Sequence, residues 1–341
     1  MSQRAKPRAG LLRSAIAGSL FFAGCGGGGG NIGGSSTNVP SVAPSVTPTP
    51  AASSPPALPA AAAMLGSCRA FPADNPWNTD ISSYPVDPNS ANYLNEMNPS
   101  GSIDLHPDFG SNPTYGIPIN IVSIVPANFT PITFTGYPSE SDPGPYPIPA
   151  SPAIESGSDM HMLIVDNDNC KLYETFATTG SSAAGWTASN GALFDLSSDA
   201  LRPEGWTSAD AAGLPIAAGL VRFSEVQAGA INHAVRFTLP KTTAGHIHPA
   251  THDAETSSDQ WAAPMGLRLR LKASYNLSGF HGESLVVLTA LKRYGMILAD
   301  NGSPFYITGE TNTGWDDNDL DQMKTVPGSA FEVVTTGAVL P

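Results

Sequence analysis

The chain has 341 residues and 16 Lys+Arg against 29 Asp+Glu, a net charge of −13. That balance argues against DNA or RNA as a partner, since phosphate recognition needs clustered basic side chains. The length leaves room for one or two domains.

Residues 1–25 read as a targeting segment. Arg4, Lys6, Arg8 and Arg13 make a basic start, and Ser14 to Phe22 is an apolar run too short to span a bilayer. Phe22-Ala23-Gly24-Cys25 resembles the box of bacterial lipoprotein signals, with Phe22 where Leu is usual. The resemblance implies cleavage before Cys25, lipidation of its thiol, and export to the outer membrane or cell surface. The mature chain then keeps 12 basic against 29 acidic side chains, a net −17. Residues 26–66 carry no charge and are mostly Gly, Ser, Thr, Pro and Ala. Such a stretch cannot bury enough apolar surface to offset its chain entropy, so it reads as a disordered tether. Residues 67–341 are expected to form a single β-rich domain, and the protein to be a monomer.

Within that domain the first 50 residues are rich in loops, with a short helix expected over 90–97. Strands are expected at 117–125 and 132–135. The best-defined local structure follows: an apolar run to Val165, four turn formers (Asp166-Asn167-Asp168-Asn169), and an alternating run from Cys170 to Phe176. An even turn places Val165 opposite Cys170, Leu163 opposite Leu172 and His161 opposite Glu174. A capping box at Thr207-Ser208-Ala209-Asp210 predicts a short helix, and Ser224 another through Ala228. Strands are expected at 231–239, 267–271, 296–299, 305–308 and 331–334. Residues 283–294 form the one convincing amphipathic helix, ended by Gly295, and 315–324 hold a short acidic-capped helix. Short strands, many Gly and Pro turns and few helices predict a mainly β fold: an antiparallel β-sandwich with a few short peripheral helices, or an α+β layered fold as the alternative. Once Cys25 is lipidated, Cys68 and Cys170 remain, and outside the cytoplasm they are expected to pair.

Four runs, NPWNTDIS (75–82), LHPDFG (105–110), LRPEGWTSADAAGLPI (201–216) and YGMILADNGSP (294–304), resemble a group of secreted bacterial proteins. The resemblance spans most of 68–335. It implies extracellular placement and brings no activity.

Gly-x-Ser-x-Gly, P-loop, His-Glu-x-x-His and Cys-x-x-Cys motifs are absent. Candidate acid/base residues are therefore sought on strands, which hold side chains rigidly: His161 with Glu174, and Asp166 and His233. Loops mixing aromatic and charged groups supply candidate substrate-binding residues, His106 and Asp108 in one and Arg202 and Trp206 in another. Five Trp outside obvious core strands are consistent with a glycan-facing surface. Arg268 and Arg270 alternate with leucines and point outward with Lys272, and Arg236 joins them if its strand is adjacent. Together they would suit an acidic polysaccharide. His246-x-His248-x-x-x-His252 has metal-like spacing, but Pro249 breaks the strand and no metal or other cofactor is expected. The leading expectation is a surface-anchored glycan-active enzyme, a polysaccharide hydrolase or lyase. The alternatives are a non-catalytic carbohydrate- or surface-binding lipoprotein and a metal-dependent extracellular enzyme.

Overall fold

The computed structural model describes residues 62–123 and 129–341. The expected signal, Cys25 and nearly all of the tether lie outside the described residues.

The hairpin forms where the turn chemistry places it. Met162–Asp166 pairs antiparallel with Lys171–Phe176 across a four-residue turn. The Asp166 carboxylate accepts from the backbone N–H groups of Asp168 and Asn169 and from the Asn169 side chain, which is how the turn is held. The turn starts one residue later than expected, because Cys170 sits inside it in a left-handed conformation, φ 52°. Leu163 therefore faces Glu174, and Val165 faces Leu172. Both strands shift together, so the face assignments hold. The direct His161–Glu174 pair does not form; His161 lies beside Phe176, ring centroids 5.5 Å apart.

Asn190–Asp195 joins this hairpin antiparallel on one side and Ile119–Val122 parallel on the other, making a four-stranded sheet. A Cys68–Cys170 disulfide, Cα atoms 5.4 Å apart, ties the start of the domain to the turn. The second sheet has six strands in the order Phe331–Val334, Arg268–Leu271, Met296–Asn301, Val235–Leu239, Tyr306–Thr308, His106–Asp108. Two of its pairings are parallel, Val235–Leu239 with Met296–Asn301 and Tyr306–Thr308 with His106–Asp108, and three are antiparallel. The fold is mainly β, and its sheets mix both directions.

The helices are short: α1 Ser90–Met97, α2 Ile216–Gly219, α3 Phe223–Gln227, α4 Gly282–Arg293 and α5 Asp317–Leu320. The α4 helix buries Val287, Leu288 and Leu291 and stops at Gly295, φ 67°, where a Cβ would meet the Leu269 carbonyl at 2.2 Å. Leu163, Val165 and Leu172 of the small sheet and Val235, Phe237, Leu269 and Leu298 of the large one belong to one apolar core.

Segment 207–221 touches both sheets. Glu174, on the small sheet, accepts the N–H groups of Ile216 and Ala217 at 2.8 Å each, capping α2. Arg236, on the large sheet, donates Nε and Nη2 to the Asp210 carboxylate and Nη1 to Thr308 Oγ1. The expected helix at 207–210 is absent because these side chains are committed elsewhere. Ser208 Oγ donates to the Asp210 and Leu214 carbonyls, Asp210 is held by Arg236, and the helix begins only after Pro215.

Candidate functional site

A cavity of about 520 Å³ opens between residues 62–66 and α3, within the usual range for small-molecule sites. Met64, Leu65, Ile119 and Ile121 line its apolar wall, and Arg222, Glu225, Asn232 and Glu310 its polar one. The polar groups converge for local reasons. Glu310 follows the Tyr306–Thr308 strand, and its backbone N–H donates to Val221. Its carboxylate accepts the Phe223 N–H at 2.8 Å, filling one of the donors that the start of α3 leaves open. One turn into α3, Glu225 accepts from Arg222 Nη2 at 2.8 Å through one oxygen and meets His233 Nε2 at 3.0 Å through the other. Arg222 also donates to the Ala217 and Ala218 carbonyls.

The two carboxyls are biased in opposite directions. Burial pushes Glu310 above the ordinary range, against the Phe223 N–H and Arg222, and the neighbouring Glu225 charge pushes the same way. Burial acts upward on Glu225 too, but His233 and Arg222 outweigh it and hold that carboxyl below the ordinary range. His233 Nδ1 faces the Ala234 carbonyl at 2.7 Å, which can only accept. One cavity thus holds a carboxyl inclined to keep its proton beside one inclined to lose it.

A second polar cluster lies in the loops. Glu204 Oε2 meets His246 Nε2 at 2.8 Å, and Oε1 meets His248 Nε2 at 2.5 Å. His246 ends the Thr242–His246 strand and His248 follows two residues later, so both rings emerge on one side. Gly266, φ 80°, lets the neighbouring chain approach, since a Cβ there would meet the Ile247 carbonyl at 1.9 Å. The Glu204 loop is tied in by Gly205 N–H donating to Thr251 O and by Thr251 Oγ1 donating to Trp206 O. His248 and His246 hold the Glu204 carboxyl below its ordinary range. His252 does not join the cluster; its Nδ1 faces the Ala211 carbonyl.

Most residues singled out from sequence are committed to structure. His161 is buried between Glu155 (Nδ1 to Oε2, 2.5 Å) and the Ala209 carbonyl, and although burial works against it, the Glu155 hydrogen bond raises its pKa. Glu174 caps α2; burial pushes its carboxyl up to about 7 against the two N–H groups it accepts. Asp166 organises the turn. His106 stacks on Tyr306 at 4.0 Å, and Asp108 accepts from Tyr115. Arg202 pairs with Asp142, donates to the Glu140 and Thr207 carbonyls, and lies over the Phe194 and Trp206 rings.

The expected basic face is a correction. Arg268 donates to the Pro76, Thr79 and Tyr294 carbonyls, and Arg270 to the Ile81 and Ser82 carbonyls and Glu332. Segment 76–82 covers the face that alternation leaves outward. Arg236 is separated from them by the Met296–Asn301 strand and serves Asp210. The tryptophan surface is a second correction: Trp77, Trp186 and Trp315 are buried, and Trp206 and Trp261 half-buried. Of the residues named from sequence, only His233 stands at the cavity's carboxyls. The sequence singles out neither Glu225 nor Glu310; the one signal is the i,i+3 Arg222–Glu225 spacing beside a helix start. No protein-family model, curated protein or solved structure matches the chain.

Proposed function

We propose that this protein is an extracellular glycan hydrolase using Glu310 as general acid and Glu225 as base or nucleophile. The observation that carries the reading is the pair of carboxyls on one cavity with opposed proton affinities, since environments that drive two carboxyls apart separate the acid from the base. Glycosidic bonds are cleaved by such pairs, one carboxyl protonating the leaving oxygen while the other attacks or activates water. Arg222 and His233 are positioning residues that keep Glu225 ionised. Export on a lipid anchor at Cys25 belongs to the same proposal; the disulfide, a bond of oxidising compartments, supports it.

The test is a screen of polysaccharides and oligosaccharides for released reducing ends. Glu310→Gln and Glu225→Gln are each expected to lower the rate by at least about 100-fold, the lower end for a positioned acid or base. The rate should fall at high pH as Glu310 loses its proton and at low pH as Glu225 gains one, and Glu310→Gln should abolish the high-pH limb. Release that survives both substitutions within a few-fold rules the assignment out.

A further inference from the structure

We propose that Glu204, His246 and His248 form a binding site for a divalent transition-metal ion of the zinc class. Their ligand atoms, Glu204 carboxylate oxygen and the two Nε2, lie within 4.8 Å of one another. Two imidazoles and one carboxylate are the donor set that zinc takes where it keeps a fourth position open. Bonds of about 2.0–2.1 Å place tetrahedral donors about 3.3 Å apart. To reach that spacing the Glu204–His contacts, now 2.8 and 2.5 Å, lengthen and any separation toward 4.8 Å closes, and the chain allows these adjustments. His248 and Glu204 side chains are 45% and 57% exposed and free to adjust, whereas His246 is 3% exposed and fixed.

The hydrogen bonds alone do not account for this arrangement. Glu204 is a surface carboxylate, and exposed His–Glu pairs contribute little to stability. Yet His246 is buried with its Nδ1 lacking a hydrogen-bond partner, so Nε2 carries the ring's polar contact, to Glu204, and gains from a stronger bond there. A metal–imidazole bond supplies one. Two histidine side chains converging on one carboxylate, from loops locked by Gly266 and by the Gly205–Thr251 tie, form a preorganised ligand set. His248 also lines a cavity of about 170 Å³ with Thr79, Tyr84 and Arg268, so the site has room beside it for solvent or a small ligand. The proposal is independent of the Glu225–Glu310 assignment.

The experiment is titration of the purified, untagged, metal-stripped protein with Zn²⁺ by calorimetry and with Co²⁺ by visible d–d absorption. One equivalent of each should bind, Co²⁺ with the intense spectrum of a four-coordinate site. His248→Ala and Glu204→Gln alter exposed side chains and should fold; each should weaken binding by more than the ~10–100-fold typical of losing an outer-shell partner. His246→Ala should abolish binding, with circular dichroism confirming the fold. Absence of binding in the wild type, or affinity unchanged in His248→Ala and Glu204→Gln, overturns the proposal.

Discussion

Removing the Arg236 guanidinium is the sharpest probe of how the two sheets are joined. Asp210 is fully buried and Arg236 is 4% exposed. The pair is bidentate, at 2.9 and 2.5 Å, and a third donor reaches Thr308 Oγ1 at 2.6 Å. Arg236→Met keeps most of the volume but leaves a buried carboxylate without its counter-charge. Breaking a buried pair from one side costs about 3–5 kcal/mol, because the orphaned ion stays desolvated. Against a typical total of about 5–15 kcal/mol that loss is large. Asp210→Leu with Arg236→Met removes both charges and should recover most of it, so the two substitutions should couple by at least ~2 kcal/mol. Asp300 adds a pH signature. Burial and the nearby Asp210 carboxylate hold its carboxyl well above the ordinary range, against Arg236. In Arg236→Met a protonated Asp300 can donate to Asp210, so the loss should be smaller at pH 5 than at pH 8. Urea unfolding followed by tryptophan fluorescence, at both pH values, measures all of this. A single-variant loss under about 1 kcal/mol would mean that Asp210 is hydrated or already neutral, and the account of the buried pair would be wrong.

Burial raises the folded-state pKa of Glu174 to about 7, from an ordinary 4.5. A raised carboxyl means the folded state holds the proton longer, so its contribution is full below about pH 4.5 and falls as pH rises to about 7, by roughly 3 kcal/mol; stability of wild type against Glu174→Gln from pH 4 to 8 should show that slope, and a flat difference would refute it. Reducing the Cys68–Cys170 bridge, which closes a separation of 102 residues, should cost about 4–5 kcal/mol in the chain-entropy model. Cys68→Ala/Cys170→Ala should then melt well below the wild type, and an unchanged Tm would place the stability elsewhere.

How much of this was legible depends on the range of the interaction. The hairpin, α4 and the Phe331–Val334 strand follow from periodicity and turn residues, which act over a few positions. The disulfide followed from counting cysteines. The strand order did not follow. Met296–Asn301 and Tyr306–Thr308 are adjacent in sequence and look like a hairpin around Asp300-Asn301-Gly302, yet Val235–Leu239 lies between them. No local signal marks that insertion. The cavity was illegible for the same reason. Glu225 and Glu310 are 85 residues apart, and they come together only because Glu310 caps the helix that carries Glu225. Glu204, more than 40 residues from the histidines, carries no sequence signal as a ligand, whereas His252, nearer in sequence, has the spacing of a third one.

The arginines show what the misreadings share. Arg202, Arg222, Arg268 and Arg270 each donate to backbone carbonyls of loops or helix ends. A domain this rich in loops has many buried carbonyls that no ladder can pair, and each must find a donor. A guanidinium presents five donors in a rigid plane and can serve two or three carbonyls at once, which a lysine ammonium on a flexible stem does poorly. Arg268 pays for this duty in proton affinity: burial pulls its pKa down to about 10, with only distant help from Tyr84 and Asp80. An arginine at an outward strand position looks the same in sequence whether it awaits an anionic ligand or stitches a loop to a sheet. The number of carbonyls in reach decides, and that is fixed by the loop that covers the strand. Once the loops are stitched, Glu225 and Glu310 still line a cavity, and Glu204 and His248 still face solvent. Both proposals are built on these groups, with His246 as the third metal ligand.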